Sequence, residues 1–340
     1  MKQIFMKAAA VLVLAVAGST MPTNREVDRS TSCSSNSNSD CDRECMTAMV
    51  TQILDSMVAH DPNSLPLAQF YRATENSHPA AVDMMTLWRT VTKAGPPSLL
   101  AIDTTNGTAY FSLAISEGND ATEAVLRARI KVVDRQLTEL ELFINRSRGD
   151  HGFTFSAAEV TTNYGPLMSP PANRTKASRE TLWALSEALF ATSSSFSVAI
   201  ADECQFTEAG GKIVDTGTYS NGSSTPLSCT WPDSHPTDSN ARVGLVIDEE
   251  LGFVVTSGMI PGQVFPYANV SAFIPNSMTA PQEVQEAWIE DMKTQGNVSM
   301  LSPTGATGDT LEVLQYYNDE LQAMQINVYL SGPNMTSPWL

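Results

Sequence analysis

The feature that most constrains this 340-residue chain is an internal recurrence. A helical pattern, a Thr-Glu pair and a hairpin pattern follow one another in the first half and recur, in the same order, in the second. The Thr-Glu pairs are Thr74-Glu75 and Thr207-Glu208, each expected to open a strand, and the hairpins centre on 133–137 and 317–321. Helices grouped ahead of several long strands argue for an α+β fold that is present twice.

Both copies begin with an amphipathic helix. In the first copy, apolar residues recur at helical spacing from Met46 to Val58. The pattern ends before Pro62, because proline disfavours the helical region for the residue that precedes it. A further helix is predicted from Pro79 to Lys93, and the second copy's helix is predicted to start at Ser178.

Long strands with alternating polarity follow the helices. Apolar residues from Leu126 to Val132 alternate with Arg127, Arg129 and Lys131, and a turn at 134–136 leads into a second strand. Such alternation predicts a hairpin with one buried face and one solvated, charged face.

Changes in composition divide the chain into segments. A short basic region and an apolar core open the sequence, as in signal peptides, and a polar stretch expected to be disordered follows. A Pro-, Gly- and Asn-rich stretch separates the two copies, and the second copy carries extra sequence. The resulting segments are a signal peptide (1–17), a lead-in (18–40), domain 1 (41–150), a linker (151–176), and domain 2 (177–340) with an insertion around 259–308.

A chain with a signal peptide enters the secretory pathway, so we expect a secreted protein. No later segment approaches the roughly 18 consecutive apolar residues of a membrane span. Asn-x-Ser/Thr sequons become glycosylation sites on this route. The predicted glycosylation sites are Asn106, Asn145, Asn173, Asn221, Asn269, Asn297 and Asn334.

The net charge limits the classes of binding partner, and the positions of the cysteines limit the disulfide pairing. The formal net charge of −17 repels nucleic acid and anionic membranes and leaves small neutral or apolar ligands open. We predict a Cys204–Cys229 disulfide. Cys45 is expected to bond either Cys41 or Cys33, which leaves one thiol over.

Several short motifs carry a resemblance to a known family. They are Cys41-Asp42-Arg43-Glu44-Cys45, His60-Asp61-Pro62, Leu65-Pro66-Leu67, Thr74-Glu75-Asn76, Leu87-Trp88, the hairpin at 126–144, Ser178-Arg179-Glu180 and the run 331–335. In this order the chain resembles SnoaL-like proteins of the ketosteroid isomerase and nuclear transport factor 2 superfamily. It departs from the pattern at Ser77, where a glycine is expected, and at 83–86, where a Gly-rich approach is expected.

The resemblance implies two tandem cone-shaped domains, each with helices packed on a strongly curved mixed or antiparallel sheet around an apolar pocket. In an apolar pocket the pKa of a carboxylate rises, which makes it a useful general base. We therefore assign catalysis to Glu75 and Glu208, with His78 as an acid–base partner. The alternative is that these carboxylates cap a helix or pair with an arginine.

Substrate contacts complete the hypothesis. We assign them to Trp88, Tyr71, Asn76, Met49 and Arg127. The four histidines lack metal-ligand spacing and no nucleotide-binding loop is present, so neither a metal nor a cofactor is expected.

Two functions remain open at this point. The first is a cofactor-free cyclase, isomerase or dehydratase that acts on a hydrophobic small molecule by carboxylate acid–base catalysis, as superfamily relatives do in fungal secondary metabolism. The alternative is a secreted glycoprotein that binds a small ligand or serves a structural or interaction role without catalysis. The oligomeric state is left open, with a homodimer among the options.

Overall fold

Two mixed sheets with one shared strand order form the framework of the protein, which is described by a computed structural model. The described residues are 41–146, 155–191, 197–215, 225–226, 228–231, 235–267, 270–277, 283, 286–287, 289–291, 294–296 and 302–340. The predicted signal peptide and lead-in lie outside them, as do Cys33, Asn221, Asn269 and Asn297.

Besides 3₁₀ turns at Pro62–Ser64 and Val82–Met84, the described part of the first half contains two α-helices and seven strands. They are α1 (Arg43–Val58), β1 (Leu67–Glu75), β2 (His78–Pro79), α2 (Leu87–Thr90), β3 (Val91–Ala94), β4 (Leu99–Asp103), β5 (Thr108–Glu117), β6 (Thr122–Val133) and β7 (Gln136–Asn145). The sheet order is β2-β1-β7-β6-β5-β3, and β4 also pairs with β5. Strand β1 runs parallel to β7, whereas every other pairing is antiparallel.

The second half repeats this order with additions. Its described elements are α3 (Val160–Tyr164), α4 (Arg179–Leu189), β8 (Ala199–Glu208), β9 (Gly211–Lys212), β10 (Val214–Asp215), β11 (Thr225–Pro226), β12 (Arg242–Asp248), β13 (Phe253–Ser257), β14 (Met259–Tyr267), β15 (Val270–Pro275), β16 (Thr304–Thr310), β17 (Glu312–Tyr317), β18 (Glu320–Ile326) and β19 (Val328–Ser331). Its main sheet is β9-β8-β18-β17-β13-β12, again with the first strand parallel to the last.

A four-stranded sheet, β15-β14-β16-β19, extends the second half, and β10 pairs with β11. Strands β14 and β15 and the first part of β16 lie in the region predicted as an insertion. Single residues separate β13 from β14, β16 from β17 and β18 from β19, so three long strands change sheets at Gly258, Leu311 and Asn327.

Helix α1 forms as the apolar spacing predicts. The Asp42 side chain accepts a hydrogen bond from the backbone N–H of Cys45 at 2.9 Å and caps the first turn. A Cys41–Cys45 disulfide closes the same turn. The residues from Met46 to Met57 that recur at helical spacing are buried. Val58, the last member of the predicted stripe, is exposed.

Helix α4 also begins where the sequence predicts. The Ser178 hydroxyl caps it by accepting from the N–H of Thr181. The long helix predicted from Pro79 to Lys93 is wrong, because only a 3₁₀ turn at Val82–Met84 and the single turn α2 are helical and the chain continues as the strand β3.

Tight two-residue turns join the last two strands of each main sheet. Asp134 and Arg135 have φ of 50° and 60°, and Asn318 and Asp319 have φ of 55° and 58°. Positive φ at both turn positions matches the right-handed twist of the strands, so the predicted hairpins are confirmed. The Thr-Glu pairs, however, close β1 and β8 rather than open them.

The two main sheets pack against each other through the faces that turn away from α1 and α4. One apolar core lies between α1 and the first sheet, and another lies between α4 and the second. A third core joins Tyr110 and Val125 of the first sheet to Val255 and Val313 of the second. The face predicted to be solvated is therefore buried.

The described part of the predicted linker belongs to this third core. Helix α3 buries Val160 and Tyr164 between the sheets, and Asn163 donates to the carbonyl of Gly210 at 2.8 Å. The composition of this stretch predicts an interdomain linker, but apolar residues at 157, 160 and 164 bring its first part into the interior. The described residues form one compact unit.

Two reciprocal ion pairs tie the halves together. Arg43, at the start of α1, contacts Asp248 at the end of β12 at 2.5 Å. Arg179, at the start of α4, contacts both oxygens of Asp103 at the end of β4, at 3.0 and 2.6 Å. Each carboxylate also accepts a backbone N–H from the other half: Ile102 donates to Asp248 and Ile247 donates to Asp103. These contacts give the two halves an approximate twofold relation.

The turns that follow these aspartates are also equivalent. Gly107 and Gly252 have φ of 62° and 76°, and a Cβ at either position would come within 2.4 Å of a backbone carbonyl oxygen. Only glycine adopts this positive φ without strain and also leaves room for the nearby carbonyl oxygen.

The predicted Cys204–Cys229 disulfide is confirmed, and Cys41 is the partner of Cys45. Structural disulfides of this kind persist in oxidising compartments, which is compatible with a secreted protein. Within the described part of the chain, no helix has the length and apolar character needed to cross a membrane.

Candidate functional site

Glu75, the first predicted base, caps a helix. Its Oε2 accepts from the N–H of Leu87 at 3.0 Å, and its Oε1 accepts from the N–H of Thr86 at 3.2 Å and from the Thr86 hydroxyl. All of these donors lie at the start of α2, where backbone N–H groups lack partners within the helix. Glu75 therefore caps a helix, which is the structural alternative to a catalytic role for this carboxylate.

The neighbours of Glu75 also have structural roles. His78 is exposed, and its Nδ1 contacts the carbonyl oxygen of Asn76 at 2.7 Å. The Asn76 side chain accepts from the N–H of Ile144 at 2.9 Å and secures the β1–β2 turn on β7. This part of the first half shows a braced turn rather than an acid–base pair.

The remaining predicted substrate contacts are dispersed. Trp88 and Met49 belong to the core beneath α1, where the Trp88 indole donates to the Ser56 hydroxyl at 3.0 Å. Tyr71 is half-buried beside a surface cleft. Arg127 is fully buried on the opposite face of the sheet, where it donates to the Asn145 side chain at 2.6 Å. The structure does not gather these residues into one site.

Among the described sequons, three have exposed asparagines: Asn106, Asn173 and Asn334. Asn145 differs, because it accepts from Arg127 and its amide nitrogen donates to the carbonyl of Val328 at 3.3 Å. A glycan on that nitrogen would disrupt a contact between the two halves.

Glu208 leads to a better candidate in the second half. It lines a cavity of about 210 Å³ whose other walls are mostly apolar. The apolar lining residues are Phe206, Ile213, Pro236, Ile260, Phe273, Pro275, Ile326 and Val328. The polar ones besides Glu208 are His235, Thr310 and Glu312.

This cavity lies where the long strands pass from one sheet to the other. Thr310 and Glu312 flank Leu311, where β16 gives way to β17, and both side chains reach the cavity while Leu311 enters the core between the sheets. At the neighbouring joint, Gly258 donates to the Thr310 hydroxyl at 3.0 Å. A Cβ on Gly258 would come within 2.5 Å of the Phe190 ring, so glycine lets α4 lie close above the bend.

A buried acid–base pair lies on the cavity wall. His235 Nε2 is 2.9 Å from Glu312 Oε2, and both side chains are buried. His235 Nδ1 is 2.8 Å from the carbonyl oxygen of Pro236, which only accepts, so Nδ1 carries a proton. The Phe190 ring meets the imidazole edge-on with centroids 4.7 Å apart. The imidazole is thus fixed on three sides.

The protonation of His235 follows from these neighbours. Burial lowers the pKa of the imidazole, whereas the Glu312 carboxylate and the hydrogen bonds raise it, and the net effect is a pKa above the ordinary value of 6.5. A protonated His235 in turn offsets the cost of an ionised carboxylate in an apolar cavity. The pair thus fixes the Glu312 carboxylate beside the imidazole on the cavity wall.

Sequence reasoning missed this pair because neither residue carries a motif. His235 lies in a loop far from Glu312 in the chain, and the loop conformation brings them together. One signal was available: Glu312 interrupts an otherwise apolar alternation at the start of a strand. A charged residue on the core-facing side of a strand requires a partner, and histidine is one candidate.

No protein-family model matches the chain, and comparison with curated proteins finds no match.

Proposed function

We propose that the second half catalyses cofactor-free proton transfer on a small, largely apolar molecule, with Glu312 as the base and His235 as its proton-holding partner. The observation that carries this proposal is a buried acid–base pair on the wall of an apolar cavity. Concave apolar sites with a few convergent polar groups are the usual setting for small-molecule chemistry.

The shared strand order supports the finer fold assignment within the same proposal. Each main sheet closes with its first strand parallel to its last, and each has a helix on one face. This is the arrangement expected of two tandem cone-shaped SnoaL-like domains, of which the second keeps an open cavity. With its two disulfides, the protein is proposed to act in the secretory pathway or outside the cell.

The cavity volume limits the size of the substrate. Sites for drug-sized ligands measure roughly 300–1,000 Å³, and a dry cavity of about 150 Å³ can hold a benzene ring. A volume of about 210 Å³ therefore admits one ring with a small substituent, or the reacting end of a larger molecule.

The proposed step moves one proton between two carbons. Glu312 removes a proton from a carbon next to a carbonyl group, and the electrons of that C–H bond enter the carbonyl system to form an enolate. The proton then returns from Glu312 to another carbon of the conjugated system, so no oxidant or cofactor is needed. Throughout the cycle, His235 keeps one hydrogen bond to Pro236 and one to Glu312.

Glu208 supplies a second carboxylate on the same wall. Of the three catalytic residues predicted from the sequence, Glu208 is the one retained in this proposal.

The test uses cyclohex-3-en-1-one, a single-ring ketone that fits the cavity. In D₂O the wild type should convert it to cyclohex-2-en-1-one and introduce deuterium, both followed by mass spectrometry. Glu312→Gln should lower both rates by roughly 10²-fold or more, because it keeps the shape and removes the base. Glu187→Gln, on the exposed side of α4, is the matched control.

Equal deuterium incorporation by wild type and a folded Glu312→Gln protein would contradict the proposal. Retention of the ketone by the wild type without isomerisation or exchange would instead favour the ligand-binding alternative.

A further inference from the structure

A second cleft, of about 430 Å³, lies where the two halves meet and is distinct from the cavity around Glu312. Strands β1, β5, β6 and β7 of the first half form one side, and the start of β12 with α4 forms the other; Trp339 and Leu340 also line the cleft. The residues that determine its chemistry are Arg72, Arg129, Lys131, Arg242, Trp183 and Trp339.

Positive charge exceeds negative charge in this cleft. Arg129 contacts Glu139 and Glu141 at 2.7 Å each, and Arg242 also pairs with Glu141. These two arginines and two glutamates balance. Arg72 donates to the carbonyl oxygen of Pro338, and neither Arg72 nor Lys131 forms an ion pair with a side chain of the described residues. They therefore give the cleft an excess of positive side chains, in a protein whose formal net charge is −17.

Two indole rings face the same space. Three guanidinium groups surround the Trp339 ring: the central carbons of Arg129, Arg72 and Arg242 lie 4.9, 5.2 and 5.9 Å from its centroid. These distances fall within the range of cation–π attraction. On the other side, the Trp183 ring packs on Gly244 and is 41% exposed. The cleft therefore offers aromatic surface beside its cations.

The cleft also contains buried donors without partners. Thr108 Oγ1, Arg242 Nε and Trp339 Nε1 are buried, and none has a hydrogen-bond partner among the described residues. A buried donor left unsatisfied costs about 1–3 kcal/mol, so most such groups in proteins are paired. Because these three atoms are almost inaccessible, they lie within the cleft wall, and Arg72 and Lys131 are the described cations without an ion pair that a ligand in the cleft can reach.

We propose that this cleft binds a small organic anion, namely a carboxylate carried on a flat ring. The oxyanion would face Lys131 and Arg72 and accept from them, while the ring would lie against the indoles. A carboxylate has four lone-pair sites and can accept from several donors at once. This inference does not depend on the proposed chemistry at Glu312.

Isothermal titration with sodium benzoate tests the proposal, with benzamide as a neutral ligand of the same shape. We expect saturable benzoate binding and a binding constant at least tenfold weaker for benzamide. Replacing both unpaired cations, Arg72→Gln with Lys131→Gln, should weaken benzoate binding roughly tenfold or more. The matched control replaces Arg89 and Lys93, exposed in the same half, by glutamine and should bind as the wild type does.

Three results would overturn the proposal: no saturable heat with benzoate, equal binding of benzamide, or unchanged binding by the folded Arg72/Lys131 variant. Inorganic sulfate distinguishes charge from ring recognition. If sulfate displaces benzoate at equal concentration, the cleft recognises charge alone and the ring-bearing ligand class is wrong. Melting curves of both double variants check that they remain folded.

Discussion

The reciprocal ion pairs between the halves allow a quantitative test of how the protein is held together. The perturbation is a double-mutant cycle on Asp103 and Arg179, using Asp103→Asn, Arg179→Gln and the double variant. Asp103 is completely buried and Arg179 is 24% exposed, and two charged hydrogen bonds of 3.0 and 2.6 Å join them. Hydrogen bonds to charged groups contribute roughly 1.5–3 kcal/mol each.

Solvent near Arg179 reduces this gain, so we expect a coupling free energy of about 2 kcal/mol. The single change Asp103→Asn should cost more, about 3 kcal/mol, because the carboxylate also accepts the N–H groups of Ile247, Thr105 and Asn106.

The related pair Arg43–Asp248 serves as the internal comparison. Asp248 is equally buried, but Arg43 is 40% exposed and forms one contact with the carboxylate. Screening by water should reduce this coupling to about 1 kcal/mol or less. Added salt should weaken it more than it weakens the Arg179–Asp103 coupling.

The assay is urea unfolding followed by tryptophan fluorescence and far-ultraviolet circular dichroism. Both signals should report one transition, because a common core joins the two sheets. A coupling of Arg179 with Asp103 within about 0.3 kcal/mol of zero would refute the reasoning, given that this is the scatter of independent sites. Two separate transitions would refute the shared core.

Four further predictions concern single sites. Glu75→Gln should leave ketone exchange unchanged and lower stability by about 1 kcal/mol, the value of a helix cap, as measured by urea unfolding. Because the pKa of His235 is raised on folding, its stabilisation is complete below pH 6.5 and is lost as pH rises through the folded pKa; His235→Asn should remove this slope from thermal melts. Loss of the Cys204–Cys229 bond, which spans 25 residues, should cost about 3.5 kcal/mol in the same unfolding assay. Glycopeptide mapping should find Asn145 unmodified, since its amide contacts Val328.

Local patterns predicted local structure well. The helix through Met46 and the helix after Ser178 follow from apolar spacing and capping residues, and both hairpin turns follow from short polar runs between alternating strands. Each of these signals depends on neighbours in the chain. The helix predicted at 79–93 is wrong because apolar residues at every third position also suit one helical turn followed by a strand.

Contacts between the two halves join residues that are far apart in the chain, so local sequence patterns do not predict them. The alternation around Arg127 and Arg129 is what a solvated face would show, but the second sheet covers that face. Arg129 pairs there with Glu139 and Glu141 of its own sheet, and Arg242 of the second half also contacts Glu141. A long-range signal was present in the recurrence of Ile-Asp followed by glycine at 102–107 and 247–252. This recurrence marks Asp103 and Asp248, each of which pairs with an arginine of the other half. The sequence pattern does not identify those arginines.

The candidate site depended on the same long-range information. Glu75 and Glu208 do occupy equivalent strand positions, as the recurrence predicts. Their surroundings differ, since one lies at a helix start and the other on a cavity wall. His235 and Glu312 are brought together by a loop and a strand bend, neither of which has a periodic signature.

The parallel pairing of first and last strands has a consequence for synthesis on the ribosome. Strand β8 needs β18 as its neighbour, and more than 100 residues separate them, so the second sheet stays incomplete until residue 326 has left the exit tunnel. The first sheet can close once residue 145 emerges, but Tyr110, Val125 and Phe143 then face water. During that interval the nascent chain exposes an apolar face, and this is the stage at which a chaperone would engage it or two chains would aggregate.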